Sequence, residues 1–261
     1  MALFAYVDTD LDGVEDPVDR CPNTPMTELV DANGCPVASL VREHRFDVVA
    51  GLGFDDGTSI NAVGGGEDTT LFSLQADYYD DAYSLQLSTG RYDSGSNSGW
   101  SDTLIAGYYQ LQPSDALLVR LGAGVLLPTY ESGLENEAAD YQLSANISFA
   151  LGEKANLFGG FSYTWINDDD VYGVPNVGDV LYQDSQAVTG GVGYNVTPKL
   201  YASLSYSRSD SIYRGVEAIE SATLYGFYGI DESLFVTVSY AAGLSDSASD
   251  NAVAIRIGRY F

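Results

Sequence analysis

At 261 residues, with 20 Tyr, 28 Gly and a formal net charge of −26, the chain departs from the average soluble domain. The acidity excludes a nucleic-acid partner, because no basic surface exists to displace counterions from phosphates. Mean hydropathy is near zero, and no run approaches the roughly 18 apolar residues of a membrane-spanning helix. That leaves β-architectures whose apolar and polar residues alternate and cancel, either a transmembrane barrel or a soluble sandwich or solenoid.

The chain opens on Met1-Ala-Leu-Phe-Ala5, which matches the tail of a secretory signal. Residues 8–19 then read DTDLDGVEDPVD. Asp8, Asp10 and Asp12 fall at positions 1, 3 and 5 of a loop, Gly13 at the sharp turn, and Asp19 at position 12. This spacing wraps oxygen ligands around Ca²⁺. The Val14 carbonyl would point inward and Asp16 would bind through water. Asp19 stands where a longer Glu is usual. Carboxylates this dense repel one another unless a cation offsets them, although a solvated acidic linker has the same composition. Both cysteines, Cys21 and Cys35, follow closely. They read as a disulfide of an oxidising compartment, worth about 3 kcal/mol in the chain-entropy model, or as two free thiols.

The run continues as Arg20-Cys21-Pro22-Asn23-Thr24-Pro25 and then Val30-Asp31-Ala32-Asn33-Gly34-Cys35-Pro36. Over residues 8–36 it resembles the thrombospondin type 3 repeat, in the form carried by proteins of the outer-membrane protein A family. The resemblance implies Ca²⁺ ligation by Asp8, Asp10, Asp12, the carbonyl of Val14, Asp16 and Asp19, with Asp31 and Asn33 as a second candidate pair. It also implies a Cys21–Cys35 bridge. One repeat is present where such proteins often carry several, and no peptidoglycan-binding domain follows. The expected organisation is a calcium-binding module over 1–40, a linker over 41–45 and a barrel over 46–261.

From Arg45 onward apolar residues recur with period two. Phe46, Val48, Ala50, Leu52 and Phe54 open the series. Runs follow at Phe72–Tyr78, Tyr83–Leu87, Thr103–Leu111, Leu117–Val125, Tyr141–Phe149, Leu157–Trp165, Val188–Val196, Leu200–Tyr206, Ala222–Ile230, Leu234–Tyr240 and Val253–Phe261. The pattern predicts about twelve strands. Tight turns at Asp80-Asp81, Pro113-Ser114-Asp115, Gly152-Glu153-Lys154, Thr197-Pro198-Lys199 and Asp231-Glu232-Ser233 alternate with long loops such as 55–69, 128–140 and 167–184. Outer-membrane barrels alternate in this way, with short periplasmic turns and long outside loops. A wall whose second face is Ser, Gln, Gly and Asn is inside out in water and correctly placed in lipid. Aromatics near run ends (Phe46, Tyr78, Tyr83, Tyr109, Tyr141, Trp165, Phe261) suit interfacial girdles. The expected fold is all-β: a transmembrane antiparallel up-and-down barrel in the bacterial outer membrane, with the N-terminal module in the periplasm. The strand ending on Phe261 resembles the signal read by the barrel assembly machinery.

Enzyme chemistry finds no footing. The one histidine, His44, lies in the linker, and no nucleophile elbow, phosphate loop or Cys/His cluster is present. Parity instead sends Arg120, Arg256, Asp47 and Asp77 into the lumen with Gln110, Gln142, Ser203, Ser205 and Tyr225. If the arginines stay free they are selectivity charges of a narrow channel for small solutes or cations. If they pair with Asp47, Asp77 or neighbouring tyrosines, the lumen closes and a non-conducting anchor or adhesion protein results. Acidic loop residues (Asp55, Asp56, Glu67, Asp68, Glu131, Glu135, Glu137, Asp168, Asp169, Asp170) read as solvated charge that concentrates cations, with Arg214 a rare counter-charge. Expected partners are outer-membrane lipid, the assembly machinery and a periplasmic protein.

Overall fold

The computed structural model describes residues 44–57, 68–80, 82–95, 97–114, 116–130, 138–152, 154–174 and 178–261. The calcium, disulfide and linker assignments at residues 8–43 lie outside these. Among the described residues there are fifteen strands: β1 (His44–Asp55), β2 (Thr69–Asp80), β3 (Tyr83–Asp93), β4 (Ser98–Trp100), β5 (Thr103–Ser114), β6 (Leu117–Leu127), β7 (Asp140–Leu151), β8 (Ala155–Trp165), β9 (Val171–Val174), β10 (Gly178–Val180), β11 (Ser185–Thr197), β12 (Leu200–Ser209), β13 (Ile219–Gly229), β14 (Leu234–Gly243) and β15 (Asn251–Tyr260).

Twelve of them form the wall. All neighbours whose register is resolved are antiparallel, and the ring runs β2-β1-β15-β14-β13-β12-β11-β8-β7-β6-β5-β3 before β3 returns to β2. The seam joins the first and last wall strands, with Asp47 opposite Tyr260 and Asp55 opposite Ala252 on β1 and β15. Short β4 extends only the end of β3, and β9 and β10 make a separate hairpin. Strands β9 and β10 sit in the 167–184 segment that the sequence reads as a loop, and β4 between two of its predicted runs. Each is too short to show a period, so nothing in composition separates it from a turn-rich connection.

Polar side chains close two of the tight turns. Asp231 accepts from the Ser233 and Leu234 amides, and Thr197 Oγ1 accepts from those of Lys199 and Leu200. Gly152, between β7 and β8, adopts φ of 75°, which a side chain would resist. Five short turns and both wall termini therefore share one end, and the long connections share the other.

The pleat sorts the residues by face. Outward positions are apolar and open: Leu85 is 59% exposed, Leu204 55% and Leu224 56%. Among the described residues no large side chain is wholly buried. A soluble sandwich would bury these leucines against one another, so the wall has no dry core and must meet hydrocarbon. Outward aromatics gather towards the two ends. Tyr83 and Tyr109 pack at 4.9 Å near the short turns, and Tyr163 and Trp165 at 4.8 Å near the loops. The backbone bonds close around the ring, which leaves no edge in the membrane.

Leu224 sits mid-strand on the outer face, opposite Leu204. Leu224→Arg should cost about 2–4 kcal/mol of folding stability in lipid. Thr223→Arg, one residue along and facing inward, should cost much less. Urea titration in lipid vesicles measures both, and equal costs would overturn the assignment of faces.

Candidate functional site

The inward face is built mostly from Ser, Thr, Asn, Gln and Gly, with a few large side chains laid on glycine. On β6, a Cβ at Gly122 would come within 2.5 Å of the Tyr108 ring on β5. Gly191 on β11 gives the same room to Phe158 of β8, and Gly258 on β15 to Phe235 of β14. Each large ring thus leans over a neighbouring strand's bare backbone.

Arg120 and Arg256, the two sequence-predicted lumen cations, lie on strands almost opposite each other around the ring, and the structure treats them differently. The Arg120 guanidinium lies over the Tyr108 ring, 3.7 Å from its centroid, and donates to Ser84 Oγ at 3.1 Å. Tyr108 in turn donates to Gln86 Oε1 at 2.7 Å. This arrangement is a cation–π stack pressed against three strands. Arg256 runs its stem over Gly51, where a Cβ would meet its Cγ at 2.6 Å. Among the described residues its side chain has no hydrogen-bond or ion-pair partner, and it is exposed.

Asp47 and Asp77 are buried, at 5% and 4% exposure. Asp77 accepts from Gln75 Nε2 at 2.8 Å, Asp47 has a partner of its own, and among the described residues neither acid is ion-paired with Arg120 or Arg256. The expected lumen-closing pairs with these acids are therefore not made, although Arg120 does lie on a tyrosine. Both acids are buried, Arg120 is half-buried and Arg256 is exposed. Asn146, inward at the middle of β7 and diametrically across from β15, is exposed as well.

At the loop end the acids are less solvated than composition suggests. Asp56 accepts from the Asn251 amide at 2.5 Å and from Asn251 Nδ2 at 2.7 Å. Asp102 accepts from the Tyr130 amide at 3.1 Å and Asp140 from the Asn167 amide at 2.8 Å. Asp184 ties down Ile166 N and the Tyr163 hydroxyl. Asp170 holds the Tyr182 amide and lies 3.6 Å from Arg214. Asp56, Asp102 and Asp140 fasten one connection's backbone to the next, and Asp170 and Asp184 brace the β8–β11 connection internally, which the sequence cannot show because the partners are distant along the chain.

Two tyrosine pairs, Tyr92–Tyr130 and Tyr182–Tyr213, each with centroids 5.4 Å apart, complete the mouth. Burial pushes the Tyr213 phenol up to about 12. A pocket of about 450 Å³ opens beside them, lined by Asp168, Asp169, Asp170, Tyr182, Asp184 and Arg214 among others. Among the described residues no cluster has metal-ligand geometry. Glu67, Glu131, Glu135 and Glu137 lie outside those residues.

Asp168 is raised to about 6, first by burial and then by the Asp140 carboxylate, with Asp102 and Asp169 adding to it and a bond from the Ala138 backbone opposing. The assembled mouth therefore holds this proton more tightly than the opened loops do. Between about pH 4 and 6 the folded arrangement binds more protons, so it gains stability as pH falls through 6 and loses it as pH rises. Amides of 166–174 and 178–184 should exchange more slowly at pH 5 than at pH 7.5, after correction for intrinsic rates. Asp168→Asn should remove the difference, and an unchanged difference would overturn the assignment.

No protein-family model matches the chain. A 41-residue stretch is 54% identical to outer membrane porin F of Pseudomonas aeruginosa, covering 16% of this chain and 12% of that protein. Solved structures resemble the whole barrel. An outer membrane channel from Pseudomonas putida F1 aligns with a TM-score of 0.63 at 15% identity, over 84% of this chain and 95% of that one. The NanC porin gives 0.58 at 13% identity over 83% and 98%. The KdgM porin, solved in complex with disordered oligogalacturonate, gives 0.50 at 9% over 82% and 98%. With the outward apolar face and the alternating turns, these likenesses establish the fold: a twelve-stranded antiparallel closed barrel of the bacterial outer-membrane type.

Proposed function

We propose that the protein is a narrow outer-membrane channel for small polar solutes, with its long loops outside and its N-terminal segment in the periplasm. One observation carries this reading. Asn146 and Arg256 stand at mid-wall on opposite strands, both point inward, and both are exposed to solvent. A lumen filled by its own side chains, as in the smallest barrels, would have covered them. The large rings support the same reading, because laid over glycine they occupy wall rather than bore.

The accessible arginines set the expected selectivity. The acidic rim raises local cation concentration, whereas Arg120 and Arg256 favour anions within the wall. Purified protein in a planar bilayer should give discrete conductance steps. Arg120→Gln with Arg256→Gln should keep the steps and shift the reversal potential towards cation preference. Absence of steps would sink the channel reading and leave a non-conducting anchor. Gly122→Ala should drive Tyr108 off the wall and lower conductance, whereas Gly107→Ala, where a Cβ meets only Leu85 at 3.6 Å on the outer face, should not.

The N-terminal reading stands on sequence. Ca²⁺ is held by Asp8, Asp10, Asp12, the Val14 carbonyl, Asp16 and Asp19, with a Cys21–Cys35 bridge behind it and a periplasmic protein as its partner. Asp12→Ala, or chelation, should make residues 1–40 protease-sensitive while the barrel keeps its folded gel mobility. Unfolding of the barrel on chelation would count against two independent units.

A further inference from the structure

We propose, building on the channel reading, that the inner wall of β13–β15 is a binding site for aromatic carboxylates. The argument starts from what does not belong in a polar lumen. Phe227, Phe235 and Tyr260 are inward on three adjacent strands and touch in series, with Phe235 5.3 Å from Phe227 and 4.8 Å from Tyr260. None of them serves the membrane face. Phe235 forms the base of the patch at 8% exposure, over Gly258, while Phe227 and Tyr260 flank it half-buried. Rings left against water lose free energy that an apolar ligand face recovers, at roughly 25 cal/mol per Å² covered.

Arg256 supplies the other half. It stands two residues along β15 from Gly258, in the row Phe227–Thr237–Arg256–Gly51. Two residues span roughly 7 Å of strand, a distance that a flexible arginine and a one-ring acid bridge together. Its cross-strand neighbours Thr237 and Gly51 carry no charge. Arg256 is an exposed guanidinium with no ion-pair partner among the described residues, where a carboxylate can take two parallel N–H bonds. Arg120 does not qualify, because Tyr108 and Ser84 already engage it. The complementary molecule is a flat ring bearing one carboxylate. An aromatic cation would be repelled by the guanidinium, and a short aliphatic acid would leave the rings uncovered.

The test uses the purified full chain with two independent readouts, ligand-induced current interruptions in a bilayer and saturation-transfer NMR in detergent. The probes are benzoate, acetate and benzylammonium. Benzoate should interrupt the current and receive saturation at concentrations where acetate and benzylammonium do neither. Arg256→Gln should weaken the benzoate effect about tenfold or more, while Arg120→Gln leaves it nearly unchanged. Phe227→Leu should reduce the preference for benzoate over acetate. Normal steps with benzoate and acetate indistinguishable, or with Arg256→Gln without effect, would overturn the site and leave the channel standing. Benzoate binding that depends on Arg256 in a protein giving no steps would support the site and remove the channel. Loss of both would remove both.

Discussion

The seam between β1 and β15 is the contact on which the rest of the molecule depends. A sheet in hydrocarbon has no water to satisfy its edges, so the first and last wall strands must find each other across the whole length of the barrel. Their ladder runs from Asp47–Tyr260 to Asp55–Ala252. Once it forms, the two-residue pleat fixes a face for every other residue. Leu52 and Ile255 go to lipid, Gly51 and Arg256 to the interior. The seam also explains why small residues gather there. Gly51 makes room for the stem of Arg256 and Ser73, and Gly258 for the ring of Phe235.

Within that frame the lumen separates net charge from accessible charge. The chain carries −26 overall, yet Asp47 and Asp77 are covered and much of the loop acid is spent on backbone amides. The two arginines stay reachable because one lies on an aromatic face and the other over a glycine. Neither arrangement neutralises the cation.

Much of the fold was legible because hydrocarbon imposes a period of two and a turn alternation that survive in the sequence. All twelve wall strands follow from that period, as does the inward placement of Arg120, Arg256 and Tyr225. Strands β4, β9 and β10 did not, since three or four residues hold no period. The mouth was less legible still. Asp140 reaching Asn167, or Tyr182 meeting Tyr213, depends on where loops distant in sequence land. The rings over glycine are an intermediate case. Parity sends Phe235 inward, but only the register shows that Gly258 lies beneath it.

The wall strands, ten to thirteen residues each, have a further consequence. At the usual tilt, about eleven residues rise roughly 25–28 Å along the bilayer normal, close to the apolar band of outer-membrane barrels. The aromatic rows, including the Tyr83–Tyr109 and Tyr163–Trp165 contacts, mark its limits. In a thicker bilayer those rings would be dragged below the headgroups, or the lipid would have to compress around them. Strand length thus works as an address label, ranking membranes by thickness before any receptor reads the chain.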